Sequence, residues 1–292
     1  MRLILLTCAT MTAFAANSVL TRMAVDGGHI GPTDFALLRV LSGALVLWLI
    51  VLARRTPLPL FRMRRLTGAL SLTVYMIGFS LAYITLDAGL GALILFGVVQ
   101  ISMFLHGAVT GTGPSKRQIA GASVAFCGLM LALWPGPGGR ADPTGALFMV
   151  IAGLGWAAYT IGGRARGDPL AATGANFILC FPALLLIAGL PGDVTPTGWI
   201  LAVLCGGLTS GLGYALWYRV LPQLQQSVAA VVQLSVPVIA IAGGAALLRE
   251  PVPLIVVLAA VLVLSGIALA VTSRSSQAGH IAPRPTDQKP DP

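Results

Sequence analysis

Residues 33–53 read TDFALLRVLSGALVLWLIVLA, and Arg54 and Arg55 follow directly. A helix needs about 20 mostly apolar residues to cross the hydrocarbon core of a bilayer. Arginines closing such a run mark the end that stays on the cytoplasmic side. The same unit recurs along the chain. We read ten runs: 3–24, 33–53, 66–86, 91–109, 119–134, 145–163, 170–190, 198–218, 228–248 and 252–271. The third and fourth are nearly continuous and are divided at Asp87-Ala88-Gly89, which supplies a charge and a turn. The expected fold is an all-α membrane protein with ten transmembrane helices. Residues 273–292 are polar and proline-rich, the composition of a disordered tail.

Composition agrees. The 292 residues are 57% hydrophobic and 9% charged, against about 25% charged in soluble domains. Lipid-facing surface is the simplest reason to drop so many charges. The net charge of +9 invites a nucleic-acid partner, but the basic residues sit in short loops and not along one polar face. The expected partners are the bilayer and a small-molecule substrate, with the chain acting as a monomer. Cys8, Cys127, Cys180 and Cys205 all fall in apolar runs and read as buried packing thiols, not as a disulfide or metal set. Met1-Arg2 and Ala13-Phe14-Ala15 have the outline of a cleaved signal peptide. The first run continues past that site to Leu20, so it reads as a span.

Loop charge gives orientation. With the N-terminus cytoplasmic, the cytoplasmic side carries Arg2, Arg54, Arg55, Arg62, Arg64, Arg65, Lys116, Arg117, Arg164, Arg166, Arg219, Arg274, Arg284 and Lys289. The outer side carries Arg22, Arg140 and Arg249, together with Asp26, Asp34, Asp87, Asp142, Asp193 and Glu250. Both termini are therefore expected in the cytoplasm, with Trp134 and Trp199 at the outer interface.

The two halves resemble each other. Phe14-Ala15-Ala16-Asn17-Ser18-Val19 aligns with Trp156-Ala157-Ala158-Tyr159-Thr160-Ile161, and Arg22 with Arg164. Further on, Ala92 matches Ala229, Gly107 matches Gly244 and Pro114 matches Pro251. Five spans is an odd number, so repeats over 1–137 and 138–272 lie inverted in the membrane. Inverted repeats build a transporter site near the midplane, where the halves rock against each other.

Aromatic and amide residues recur at helical spacing. Tyr75, Phe79 and Tyr83 share a face of the third span, Trp156 and Tyr159 one of the sixth, and Tyr214 and Trp217 one of the eighth. Asn17, Gln100, Asn176 and Gln233 put amides at membrane depth. Buried polar groups must be hydrogen-bonded, so these face the bundle. Singly, each suits an interhelical hydrogen bond. Together they suit the lining of a central cavity, with amides for a zwitterionic head group and rings for an apolar side chain. Pro237, read as mid-span, withholds a bond from the Gln233 carbonyl, leaving it to a ligand or to a kink rescued by Ser235. Arg39, a third of the way into its span, reads as a structural or gating residue that pairs with Asp87 or snorkels outward, with attraction of a substrate carboxylate as the alternative. Glu250 reads as a cap or ion-pair partner in its loop.

Asn17 and Arg22, Leu38-Arg39, Leu81-Ala82-Tyr83, Ser235-Val236-Pro237 and Arg249-Glu250-Pro251 give residues 3–272 a resemblance to the drug/metabolite transporter superfamily, in its ten-helix EamA-type branch. The chain looks most like the YddG-type amino-acid exporters within that branch. The first half departs from the pattern: Gln100 stands where a proline would match Pro237, and Gly113 where an acid would match Glu250. The resemblance implies a secondary or facilitative exporter of small metabolites in a bacterial inner membrane, working by alternating access. Export of drugs or other metabolites is the alternative. Small multidrug exporters of the superfamily use a membrane-embedded glutamate in the first span, and this chain has none there.

An intramembrane serine protease is the competing class, since Gly78-Phe79-Ser80-Leu81-Ala82 has a rhomboid-like outline and His106 lies in a span. Depth opposes it. At 1.5 Å per residue Ser80 lies about 21 Å from the inner end of its span and His106 about 5 Å. No catalytic residue, cofactor or metal is expected, and a channel is disfavoured because no ring of like charges appears.

Overall fold

The structure, a computed structural model, describes residues 1–61, 63–110, 115–132, 142–162, 168–224 and 232–272. Its helices are α1 (Arg2–Val25), α2 (Pro32–Ala53), α3 (Met63–Ala82), α4 (Ala88–Val109), α5 (Lys116–Ala132), α6 (Pro143–Gly162), α7 (Pro169–Ala188), α8 (Pro196–Val203), α9 (Gly213–Val220), α10 (Ser235–Leu248) and α11 (Leu254–Thr272). A π-helical segment, Leu204–Leu212, joins α8 to α9, making one continuous rod. Among the described residues there is no strand. Seven helices there are long and apolar enough to cross a membrane, and two shorter apolar helices lie in α10 and α11. Helices are what such a chain must form, because lipid offers backbone groups no alternative partner.

Prolines open several helices. Pro32, Pro143, Pro169 and Pro196 are each the first helical residue, where a missing N–H costs nothing. The sequence runs at those places begin one or two residues later, because proline reads as a breaker.

The bundle is inside-out relative to a soluble protein. Leu41, Leu45, Trp48, Leu49 and Leu52 form an exposed stripe along α2, and Leu186, Leu190, Leu247 and Leu254 are likewise exposed. An apolar surface of this extent has lipid as its natural solvent. The buried positions are rich in rings, hydroxyls and small residues. α3 lies along α6, α2 along α7 and α5 along α11. α10 packs on both α1 and α4, and the α8–α9 rod packs on α1 and α2.

Contacts between loops sort the helix ends. Arg22 reaches Asp87, Thr195 bonds the His29 carbonyl, Thr85 bonds Asp142, Gly192 bonds Asp34, and Glu250 bonds Ala88. At the opposite end Arg54 pairs with Asp168 and Arg65 bonds the Ala172 carbonyl. The first end is acidic and the second basic.

Several expectations need correction. α3 ends at Ala82 rather than 86, and the chain turns through 83–87 with Leu86 N–H on the Ala82 carbonyl. Tyr83 therefore lies in the turn and not on the helix face. The described part of the expected span 228–248 has a turn at Leu234 and a helix from Ser235. Pro237 falls in the first turn of α10, where its N–H would have no intrahelical partner anyway. Val232 and Gln233 before the turn at Leu234 are helical too, and Pro237 offers the Gln233 carbonyl no N–H. The Ser235 hydroxyl donates to the Val232 carbonyl at 2.7 Å. Cys180 and Cys205 are buried as expected, but Cys8 and Cys127 are exposed because they lie on outward faces of α1 and α5. Arg62, Gly113, Pro114, Trp134, Arg140, Arg164, Arg166, Ala229, the junction at 137 and 138, and the tail from 273 lie outside the described residues.

Candidate functional site: a buried guanidinium at the head of an aromatic ladder

Most hydroxyls of the spans are satisfied locally. Thr7, Thr10, Thr73, Ser102 and Thr160 each donate to the carbonyl four residues back, a bond that asks nothing of neighbouring helices. The groups that reach across the bundle are therefore informative, and they converge on Asn17 and Arg39.

Arg39, on α2, is among the most deeply buried side chains, 1% exposed. Its Nη2 donates to Asn17 Oδ1 at 3.1 Å and to Tyr75 Oη at 3.3 Å, and its Nε donates to Ser210 Oγ at 3.3 Å. Its guanidinium carbon stands 5.0 Å from the Phe79 ring centroid and 5.7 Å from that of Tyr75. Cation–π attraction of this kind contributes about 2 kcal/mol when desolvated. Asn17 Oδ1 also takes the hydroxyls of Thr209 at 2.8 Å and Ser210 at 3.0 Å, and the Cys205 thiol at 3.3 Å. These three come from the π segment, whose wider turn brings Cys205, Thr209 and Ser210 onto one face. π-bulges recur at functional sites for this reason. Gly206 makes the approach possible: a Cβ there would collide with the Arg39 carbonyl and Ser42 Oγ.

The structure thus overturns the expected Arg39–Asp87 pair and the outward snorkel. Asp87 sits near Arg22, with 3.8 Å between charged atoms, and Arg39 points into the bundle, where hydroxyl, amide and ring groups hold it.

Rings lead away from Arg39. Tyr83 meets Phe79 edge-on at 4.8 Å, Phe79 meets Tyr75 at 5.3 Å, and Tyr75 meets Trp156 at 5.0 Å. Trp156 stacks on Tyr159 at 5.2 Å and on Tyr214 at 5.9 Å, and Tyr214 stacks on Tyr218 at 6.4 Å. Phe14 and Phe177 flank Tyr214 at 5.6 and 6.0 Å. Toward the basic end, the Tyr159 hydroxyl donates to Thr173 Oγ1 at 3.2 Å, Thr173 and Tyr218 share a hydrogen bond of 3.0 Å, and Asn176 Nδ2 donates to Tyr159 at 3.4 Å.

Of the residues singled out from sequence, Asn17, Arg39, Tyr75, Phe79, Tyr83, Trp156, Tyr159 and Tyr214 come together here. Among the described ring pairs, Trp217 meets the cluster at Phe14, at 6.1 Å. Gln100 is half-buried on α4, and no described hydrogen bond links it to the site. Gln233 is half-buried in the short helical stretch before α10, and Pro237 is buried beyond it. Thr209, Ser210, Phe177, Thr173 and Tyr218 were missed. The visible signal for the first two was a Thr-Ser pair among the glycines of 206–213. Ser80 is buried in α3 while His106 is exposed in the last turn of α4, and no described hydrogen bond joins them.

The acidic end is held by a second cluster. Arg22 pairs with Asp26 at 3.1 Å and lies 3.7 Å from Glu250, and it donates to the Tyr83 and Ile84 carbonyls. Both Glu250 oxygens accept from Ala88 N–H, at 2.9 and 3.0 Å, which places an anion on the N-terminus of α4. Burial pushes the Glu250 carboxyl above the usual carboxylate range, the Ala88 N–H and Arg22 pulling it down only in part. Glu250→Ala removes the acceptor on the Ala88 N–H. It is expected to lower stability by about 1 kcal/mol, read as a drop in melting temperature of the purified protein. Glu250→Gln, which keeps an acceptor and sheds only a charge that burial already disfavours, should lose less.

The sequence pattern of the EamA-like transporter family matches residues 143–272. A relative from Pseudomonas aeruginosa, Uncharacterized protein PA1977, is 44% identical over 284 residues, 96% of this chain and 98% of its own. A protein of Archaeoglobus fulgidus named as an uncharacterized transporter is 26% identical over 220 residues, 71% of this chain and 76% of its own. A solved crystal structure shares the fold, with a TM-score of 0.65 and 18% identity over 91% of this chain and 97% of that one. This chain is a multi-pass membrane protein whose residues 143–272 carry an EamA-like transporter family domain.

Proposed function

We propose that the protein exports small metabolites, in first place amino acids with aromatic or other apolar side chains, by alternating access across a bacterial inner membrane. The observation that carries this reading is the ladder of rings running from the Arg39 cluster toward Tyr159 and Tyr218. Rings offer broad apolar contact to a side chain, while Asn176, whose Oδ1 is buried without a hydrogen-bond partner, and the tyrosine hydroxyls offer hydrogen bonds to a head group. The finer likeness to the YddG-type amino-acid exporters points the same way.

The architecture that goes with it is ten helices in two inverted repeats, 1–137 and 138–272, with both termini cytoplasmic and the acidic end outward. Matching arrangements support the repeat. Phe14 lies against Tyr214 as Trp156 lies against Tyr75. Tyr75 and Phe79 pair at the same spacing as Tyr214 and Tyr218. Arg39 bonds Asn17 on the first helix as Asn176 bonds Tyr159 on the sixth. The Arg22–Glu250 cluster then closes the outer face in this conformation. Every described acid lies at a helix end or in a loop, so no carboxylate stands along the path to carry a coupling proton. The transporter runs down its substrate's own gradient.

Replacing Trp156 or Tyr75 with alanine is expected to lower the amino-acid transport rate about tenfold or more, a loss of 1.4 kcal/mol or more at the path. Alanine at lipid-facing Leu49 or Leu186 leaves the rate per folded molecule unchanged. Rates are read in liposomes and normalised to monodisperse protein. Normal rates in both ring variants would place the path elsewhere.

A further inference from the structure

Arg39 is a charge without a counter-charge. Among the described residues no carboxylate pairs with it, and the ion pairs of the neighbourhood all involve other arginines. Three of its five N–H groups are engaged. Its Nη1 is buried with no hydrogen-bond partner. The surroundings sharpen the imbalance. Asn17 Oδ1 is approached by four donors, Arg39, Cys205, Thr209 and Ser210, although a carbonyl oxygen has only two lone pairs. The site is rich in donors, short of acceptors and positively charged. A buried charge of this kind is strongly destabilising until an anion meets it.

From this we infer that Arg39 docks the carboxylate of the transported molecule, so that the substrate class is small monoanionic or zwitterionic carboxylates and excludes the corresponding amines and amides. The inference rests on the transport reading above and names what that path selects. The planar fork of a guanidinium matches a carboxylate through two parallel hydrogen bonds. Nη1 supplies free N–H groups, and Ser210 and Thr209 supply hydroxyls that turn from the crowded Asn17 oxygen to the incoming one. Tyr75 and Phe79 form the wall under the guanidinium, and Trp156 continues that wall where an apolar side chain would lie. A doubly charged phosphate fits less well, because Arg39 is the one cation among the described residues of this cluster. The opposite half of the path carries Asn176 at the corresponding place, a neutral amide bonded to Tyr159. The two repeats thus divide the work, with charge recognition in the first and neutral hydrogen bonding in the second.

The test uses the purified full chain and four probes: phenylalanine, 3-phenylpropionate, phenylalaninamide and 2-phenylethylamine. Binding is read by calorimetry in detergent, and counterflow of the same probes is read in liposomes. The wild-type protein is expected to bind the two carboxylates about tenfold or more tightly than the amide and the amine. Arg39→Gln removes that preference, weakening the carboxylates and leaving the other two unchanged, and Arg39→Lys restores part of it. The wild-type ratio stands without any variant, should Arg39→Gln fail to fold. Equal binding of acid and amide, an unchanged ratio in Arg39→Gln, or binding of none of the four would overturn the inference. Carboxylate-selective binding without counterflow would support the anion site and defeat the transport reading. Counterflow of amide and acid alike would do the reverse.

Discussion

Gly206→Ala is expected to destabilise the protein by about 3 kcal/mol, the upper range for overpacking a well-filled contact. The added methyl would enter the Arg39 carbonyl and the Ser42 hydroxyl. The first of these is backbone and cannot turn aside. α2 and the π segment must separate, and the bond that Arg39 Nε donates to Ser210 Oγ crosses that same seam. The melting temperature of the purified variant should fall by several degrees and transport with it. Gly162, whose Cβ would meet nothing within 4 Å, is the matched control. Gly162→Ala should be neutral or slightly stabilising, since alanine favours helix over glycine by roughly 1 kcal/mol. Equal melting temperatures for the two variants would mean that α2 and the π segment are not in close contact.

The second large effect is at Asn17. Asn17→Leu keeps the volume and removes the acceptor shared by Arg39, Thr209 and Ser210. Hydrogen bonds to a charged group are worth about 1.5–3 kcal/mol each, so a loss of about 3 kcal/mol is expected. Asn17→Asp has the opposite effect on stability. It gives Arg39 a built-in carboxylate, and the melting temperature should rise above that of the wild type. The same carboxylate competes with the substrate's, so transport of carboxylates should fall about tenfold or more. A variant that gains stability and loses transport is hard to obtain from a residue that merely packs. An Asn17→Asp protein that transports normally would remove Arg39 from the path.

Much of this was readable in the sequence because it is local. The seven helices long and apolar enough to span follow from apolar runs, and the ring faces from helical spacing. Tyr75 and Phe79, or Trp156 and Tyr159, are neighbours on their own helices before any tertiary packing is known. The misreadings concern partners far away in the chain. Arg39 was assigned to Asp87 because both lie toward one end of adjacent spans, yet its Nε partner is 171 residues distant, on a π segment that no periodicity announces. Pro237 misled for a different reason. The apolar run around it is unbroken, so nothing in composition marks the turn at Leu234 that moves the proline to a helix start. Glu250 reads from sequence as a cap or ion-pair partner in its own loop, whereas the structure sets it on α4, because Gly244 leaves room for its carboxylate to fold back toward Ala88.

Counterflow decides the central claim. Liposomes holding the pure protein are loaded with unlabelled phenylalanine at millimolar concentration and diluted into trace labelled phenylalanine, with no pH, sodium or voltage difference imposed. The account predicts transient accumulation of label above its equilibrium level, absent from protein-free liposomes and competed by other apolar amino acids but not by phenylalaninamide. No accumulation for any amino acid of the panel, or accumulation only under an imposed ion gradient, would contradict it.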